Sequence, residues 1–260
     1  MSVLLKISDL QIIVKSDHAS RILLHDINLD INEKEIVALV GGSGGGKTSL
    51  GFSILRLLPS AMKVSNGEIL FQGQNLLELP LSSMQDIRGK DIAMVFQEPL
   101  SAFNPVFRIG DQIAEVLRVH LNLSRQKARE KVYELLELTE VEDPRRVARS
   151  YPHQLSGGLR QRAMIAQAIA ASPKIIIADE PTSNLDVTIQ AKILELFKKL
   201  KKQLNISMLL ITHDLGLVSF LADRAFILNE GTIVESGQAK EVFLHPKHHF
   251  TQQLARTIGL

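Results

Sequence analysis

Between the apolar run Ile36-Val-Ala-Leu-Val40 and an apolar stretch from Thr48 to Leu58 lies the loop Gly41-Gly-Ser-Gly-Gly-Gly-Lys47-Thr48. A buried strand that runs straight into a glycine loop and then a helix restricts the fold to a layered α/β architecture. The spacing fits G-x-x-x-x-G-K-[ST], a pattern with a physical basis. Glycines leave successive backbone N–H groups free to wrap an anion, and the following helix turns its positive dipole end to the same place. Lys47 then reaches the outer phosphates of a bound nucleotide, and Thr48 offers its hydroxyl to Mg²⁺.

The rest of the chain agrees with that beginning. Ile22, Leu24, Ile27, Leu29 and Ile31 form a broken period-two pattern, so the first forty residues read as strands. Gly67–Gln72 is a further strand with Gly73 as its turn, and Asp91–Phe96 is a buried strand entering a loop with Pro99 and Pro105. From Ile109 to Val147 the spacing of Ile113, Val116, Leu117, Val132, Leu135, Leu136 and Leu138 is helical. Strand–helix alternation resumes at Lys174–Ala178, followed by a helix over Thr188–Lys202 and a strand over Ile206–Thr212. A hairpin over Ala225–Val234 then turns at Glu230-Gly231. The expected fold is an α/β core over 1–95 and 174–260, with a mainly parallel sheet, flanking helices and an N-terminal antiparallel β region. A helical subdomain over about 96–173 is inserted into it.

Ile175-Ile-Ile-Ala-Asp179-Glu180 ends an apolar strand in two acids. Asp179 can hold Mg²⁺ through water, and Glu180 can polarise an attacking water. Such an ending alone is common in strands. Beside a phosphate loop it marks hydrolysis, because a binding module has no need of the second carboxylate.

Composition removes other chemistries. The 260 residues contain no cysteine, which excludes disulfides, thiol catalysis, zinc ribbons and cysteine-bound iron–sulfur clusters. Net charge is +2 and there is no tryptophan, so neither a basic field nor a stacking surface points to nucleic acid. No apolar run approaches the ~18–20 residues of a membrane helix, and the opening MSVLLKISDL lacks a basic, then long apolar, leader pattern. A cytoplasmic globular protein is expected.

Leu155-Ser156-Gly157-Gly158-Leu159-Arg160-Gln161-Arg162 lies shortly before the acidic strand, and it resembles the LSGGQ signature of ABC (ATP-binding cassette) ATPases. Gln97 after the DIAMVF strand resembles their Q-loop, Asn184-Leu185-Asp186 their D-loop, and His213 in Ile-Thr-His-Asp their switch histidine. The motifs occur in the family's order and the resemblance covers essentially the whole chain.

The resemblance implies a P-loop ATPase whose cofactors are ATP and Mg²⁺. Gly41, Gly42, Ser43, Gly44, Gly45, Gly46, Lys47, Thr48 and Ser49 would hold one nucleotide, with Thr48, Gln97 and Asp179 toward the metal. Glu180, His213 and Gln97 would be the catalytic groups. Ser156, Gly157, Gly158 and Asp186 would serve the nucleotide of a second cassette, because the family pairs two cassettes head to tail. Partners implied are two multi-helix membrane permease subunits, that second cassette (a copy or a paralogue) and, indirectly, an extracytoplasmic solute-binding protein. The implied location is peripheral, on the cytoplasmic face of the membrane.

Within the family, Phe96-Gln-Glu-Pro-Leu-Ser-Ala-Phe-Asn-Pro105, Asp179–Thr188 and the tail Glu241-Val-Phe-Leu-His-Pro246 are similar to the peptide/nickel importers. Gly41-Gly-Ser and Ser101–Pro105 lean toward the nickel or metallophore branch. Peptide-importing members often carry a longer tail, sometimes with cysteines. Leu100, Phe103 and the two prolines are expected on the surface, where a coupling helix of a membrane subunit would dock beside the 109–147 helices. Departures from the family pattern are glycine at positions 42 and 45, Asn184 where alanine is frequent, and no adenine-stacking aromatic in Ile12–Asp17, which leaves Val14 as an apolar contact. The alternatives are a soluble cofactor-assembly ATPase and an exporter-type ATPase; Glu180 opposes a non-hydrolysing regulator.

Overall fold

A computed structural model of the chain describes residues 2–15, 20–183 and 185–257. They form two compact units, residues 1–84 with 207–260 and residues 85–206. In the first unit, β1 (Val3–Lys15) pairs antiparallel with β2 (Ser20–Asn32). Leu24, Ile27, Leu29 and Ile31 of the period-two pattern are buried, whereas Ile22 is exposed; β1 adds Leu5, Ile7, Leu10 and Ile12 to the same core. β3 (Ile36–Gly41) follows, then α1 (Lys47–Ile54), β4 (Met62–Phe71) and the short β5 (Gln74–Asn75). These strands make an antiparallel sheet of order β2–β1–β4–β5, and β3 belongs to another.

Two expected boundaries differ here. The helix after the glycine loop stops at Ile54 rather than Leu58. Arg56 turns into the left-handed region, with φ 51°, and its guanidinium donates to the carbonyls of Leu76 and Leu79 at 3.3 and 2.5 Å. The Gly67–Gln72 strand begins earlier, at Met62, because β4 pairs with β1 as far as Met62 opposite Val14.

The chain reaches the second unit through α2 (Leu81–Ile87). There, β6 (Ile92–Val95) leads to the four-residue helix α3 (Pro99–Ala102). Three helices fill the expected helical stretch, α4 (Ile109–Leu121), α5 (Arg125–Leu138) and α6 (Pro144–Arg149). They bury Ile113, Leu117, Val132, Leu136 and Val147. Ser124 caps α5 and Asp143 caps α6. Then come α7 (Gly157–Ala168), β7 (Ile175–Asp179) and α8 (Val187–Leu204), with β7 parallel to β6. Glu140, at the end of the α5 turn, accepts from Arg162 of α7 and Lys199 of α8, both at 3.1 Å.

Phe103 corrects an expectation. It is 3% exposed, whereas Leu100 is 42% exposed, so only the leucine of that pair lies on the surface. Gln112 of α4 holds the loop that follows: its Oε1 accepts from the Asn104 N–H at 2.8 Å, and its Nε2 donates to the carbonyls of Asn104 and Phe107, both at 3.1 Å.

The first unit resumes with β8 (Ser207–Thr212), α9 (Leu215–Leu221), β9 (Arg224–Asn229), β10 (Thr232–Gln238), α10 (Ala239–Leu244) and α11 (His249–Thr257). Its strands run β10–β9–β3–β8, with β3 parallel to both neighbours and β10 antiparallel to β9. The expected turn is present, with φ 48° at Glu230 and 83° at Gly231. Ala38, Val40, Leu215, Val218, Ile227, Val242 and Phe243 pack together and press α9 and α10 onto the sheet.

Arg224 joins β9 to β2 by a two-pronged pair with Asp30, at 2.9 and 3.0 Å, and lies near Glu35. That hydrogen-bonded partner holds the Asp30 carboxyl below its ordinary value. The pair therefore stabilises the fold fully above the unfolded carboxylate pKa, and the contribution is lost as pH falls through the lowered folded value. In urea titrations Asp30→Asn should cost on the order of 1 kcal/mol at pH 7, kept small because solvent screens a partly exposed pair. The difference from the parent should shrink toward zero in acid, as pH falls below the ordinary carboxylate value and through the lowered folded one.

Candidate functional site

In the first unit the site begins where β3 ends. All six residues of β3 are buried, and Gly41 lies opposite Leu228 of β9 so closely that a Cβ would strike the Leu228 carbonyl oxygen. Gly46 caps α1 with φ 95°, and a Cβ there would come within 2.7 Å of Leu24. Both glycines are required by geometry. Gly42 and Gly44, by contrast, face open space.

Lys47, the first residue of α1, is 5% exposed, and its ammonium donates to the carbonyls of Gly41 and Gly42 at 2.9 and 2.8 Å. Its own loop thus holds the charge over the loop's mouth. Thr48 and Ser49 follow on the first turn, half-buried, and the Ser49 hydroxyl donates to the Met62 sulfur at 3.6 Å. Ser43 is exposed on the loop and Gly45 bonds back to Gly42 at 3.3 Å.

His213 belongs to the same unit. β8 is parallel to β3 with Thr212 opposite Val40, so His213 leaves its strand beside the start of the glycine loop. It is exposed, and Asp214 next to it caps α9 by accepting from the N–H groups of Gly216 and Leu217 at 2.8 and 3.3 Å. The cap fixes where the strand stops.

The second unit applies the same parallel rule. Val95 of β6 lies opposite Ala178 of β7, which brings the residues after both strands together. Gln97 Nε2 donates to Glu180 Oε2 at 2.8 Å. Asp179 is 3% exposed at the end of β7. Glu180 has φ 43°, in the left-handed region that a side chain seldom adopts, and the Ser183 N–H and hydroxyl hold its carbonyl at 3.1 and 2.9 Å.

Ser156 is the N-cap of α7, its hydroxyl accepting from the Leu159 N–H at 3.4 Å, and Gly157 and Gly158 form the first turn. Gly158 is pressed against Ile189, and a Cβ there would lie 3.1 Å from that side chain. Asp186 caps α8 by accepting from the Ile189 N–H at 3.0 Å, so the signature turn and the start of α8 are braced on one residue. Asn184, Ser16 and Asp17 lie outside the described residues.

Each unit thus presents its own set: Lys47, Thr48 and His213 in the first, Gln97, Asp179, Glu180 and the Ser156 turn in the second. The first can grip polyphosphate. The second carries carboxylates and an amide of the chemical type that can bind a metal and orient water. Thr48 hydroxyl, Gln97 carbonyl and Asp179 carboxylate are hard oxygen donors, the type Mg²⁺ takes together with substrate phosphates. Among the described residues there is no cluster of three or more acidic, histidine or cysteine side chains able to cage a metal alone. Residues missed by sequence reasoning are Gln112 and Ser183; a lone glutamine on an apolar helix face was the available signal for the first.

The family model described as ABC transporter matches residues 24–183. The chain is 45% identical, over 98% of its length and 77% of the relative, to a putative peptide import ATP-binding protein of Brucella ovis. It is 44% identical to the oligopeptide transport ATP-binding protein OppD of Bacillus subtilis, over 95% of the chain and 70% of that protein. It is 45% identical to the peptidoglycan transport ATP-binding protein YejF of Agrobacterium fabrum over 96% of the chain, but spans only 46% of that protein. Among solved structures, the ATP-binding cassette MJ0796, dimeric in a post-hydrolysis state with ADP and Pi, superposes with TM-score 0.81 at 30% identity, covering 90% of this chain and 98% of that one.

The loop geometry sets a direct test. Gly46→Ala forces a side chain into a left-handed backbone and against Leu24, and should weaken binding of a fluorescent ATP analogue at least tenfold. Gly42→Ala, facing open space, should stay within about threefold.

Proposed function

The chain belongs to the ABC transporter family, and on that premise we propose that it is the ATP-binding, ATP-hydrolysing subunit of an importer of peptides. The observation that carries the reading is Glu180, seated directly after the buried Asp179 and hydrogen-bonded to Gln97 at 2.8 Å. A carboxylate so placed orients water, which hydrolysis needs and binding alone does not. The relatives' names speak for peptides rather than nickel or a metallophore.

In this reading the N–H groups from Gly41 to Ser49 and the Lys47 ammonium bind the phosphates of ATP, and Thr48, Asp179 and Gln97 hold Mg²⁺. The ion, when bound, neutralises charge that develops on the phosphoryl oxygens. Glu180 takes the proton of the attacking water, and Gln97 keeps its carboxylate aimed. His213 donates to the γ-phosphate. The N–H groups at the start of α7, with Ser156, Gly157 and Gly158, serve the ATP of a second cassette, and Asp186 faces that cassette. ATP then favours the closed head-to-tail dimer by binding it better than the open chains. Residues of about 96–173 act as the helical subdomain that passes this closure to two membrane permease subunits at the cytoplasmic face, with a solute-binding protein delivering cargo from outside. No helix of the described residues is long and apolar enough to cross a membrane, in keeping with a peripheral subunit.

Glu180→Gln keeps the oxygen that Gln97 needs and removes the base. ATP affinity should stay within about threefold, turnover should fall by 10²-fold or more, and size-exclusion chromatography with ATP and Mg²⁺ should show a dimer. Lys47→Ala should weaken ATP binding itself. Parent-like turnover in Glu180→Gln would refute the assignment of the base.

The loop after Gln97 separates folding from coupling. Phe103→Asp buries a charge and should destabilise the chain by about 3 kcal/mol or more in thermal melts. Leu100→Asp changes an exposed side chain, and should leave the melt and basal ATPase unchanged while lowering transport in reconstituted vesicles.

A further inference from the structure

The turn that leads into Ser156 carries a pair of rings that the phosphate and metal chemistry does not use. Tyr151 and His153 stack with centroids 5.8 Å apart and planes 10° from parallel, and the Arg108 guanidinium lies 5.9 Å from the Tyr151 centroid. His153 is exposed, and its side chain has no hydrogen bond or ion pair with a described residue. An exposed ring with one face open is a platform for another flat π-system.

The turn is built to hold that ring still. Pro152–Gln154 form a single turn of 3₁₀ helix, in which Tyr151 and Gln154 bond twice. Gln154 Oε1 accepts from the Tyr151 N–H at 2.8 Å, and the Gln154 N–H donates to the Tyr151 carbonyl at 3.0 Å. Pro152 and Leu155 are buried, and Arg160 Nε donates to the Leu155 carbonyl at 2.9 Å. His153 and Gln154 are left outside, and the turn itself occupies Gln154.

The first unit offers no such ring beside its phosphate loop. The last row shared by β2, β1 and β4 is Arg21, Val14 and Met62, and the Ser49 hydroxyl of α1 reaches the Met62 sulfur at 3.6 Å. A base whose ribose lies near Ser49 meets aliphatic and thioether surface in that row. His153 lies three residues before Ser156, at most about 11 Å of chain, a span comparable with a triphosphate and its ribose. We infer that His153, backed by Tyr151, stacks on the purine of the nucleotide held by the second cassette, so that recognition of the base is completed across the dimer. The inference rests on the head-to-tail reading and adds to it a residue that reads the base. The ring contact exists only in the closed state, so the base as well as the phosphates then favours closure.

The test uses the full chain in the Glu180→Gln background, with Mg²⁺, and follows dimer formation against nucleotide concentration by light scattering. His153→Ala should raise the ATP concentration for half-dimerisation about fivefold or more, and His153→Phe, which keeps a ring, should stay within about twofold. With ribose 5-triphosphate, which has no base, the background and His153→Ala should coincide. Two mixtures then separate the chains. Each contains one Lys47→Ala chain, so that a single nucleotide binds, in the loop of the other chain. His153→Ala in the chain that holds the nucleotide should leave the midpoint where a mixture without it lies; His153→Ala in the Lys47→Ala chain should give the full shift. An unchanged ATP midpoint in His153→Ala overturns the inference and leaves the composite phosphate site standing. An equal loss with ribose 5-triphosphate overturns it in favour of a charge contact to phosphate. A shift from the chain that holds the nucleotide overturns it in favour of a contact within one chain. A background chain that fails to dimerise at saturating ATP overturns both the inference and the head-to-tail reading.

Discussion

The burial of β3 is the constraint on which the phosphate site depends. It is a strand with no exposed residue, paired in parallel with β8 on one side and β9 on the other. A one-residue slip would have to break both ladders and exchange side chains between two filled faces, so the register is held. The first glycine of the loop is therefore pinned against Leu228, and the loop must turn at that point. Lys47 returns along the turn and is held by the carbonyls of Gly41 and Gly42. The same parallel pairing delivers His213 at the end of β8. In the second unit, β6 and β7 follow an equivalent rule, and the Gln97–Glu180 bond is its consequence. Parallel strands end on the same side, so chemistry placed just after them converges without any residue being near another in sequence.

That rule explains what could be read from the chain alone. Strands such as Ile36–Gly41 and Ile175–Asp179 are short and continuously apolar, and the helices over 109–149 keep a clear period, so these elements were legible, whereas the short helices α2, α9, α10 and α11 were not. The glycine loop, Asp179–Glu180 and Ser156–Gly158 were legible because each packs its chemistry into a few consecutive residues. Boundaries set by distant partners were not. The end of α1 depends on carbonyls of Leu76 and Leu79, some twenty residues beyond Arg56, and the start of β4 depends on its pairing with β1.

Phe103 shows the same limit inside the candidate site. A proline-flanked loop with Leu100 and Phe103 reads as exposed, because nothing local tells one apolar side chain from the other. Gln112 decides the matter. Its amide satisfies a donor and two acceptors of the 104–107 backbone, which lets a loop lie against α4 without orphaned polar groups and lets Phe103 enter the core. A glutamine only 8% exposed on an otherwise apolar helix face is costly unless every one of its groups has a partner. Here the partners are Asn104 and Phe107, so the end of the loop that leads from Gln97 to α4 is tied to the helix.

Glu180 carries the opposite kind of expense. A left-handed backbone at a residue with a full side chain costs on the order of 1 kcal/mol, and glycine would remove the cost at once. Glycine would also remove the carboxylate. The two bonds from Ser183 to the Glu180 carbonyl offset part of the strain and fix the peptide, while Gln97 fixes the carboxylate at the other end of the side chain. A group held at both ends loses little entropy when a ligand binds beside it, so in the proposed role of base Glu180 would need no rearrangement at the moment of reaction. Local rules of propensity fail at this residue because orientation, not stability, dictates its conformation.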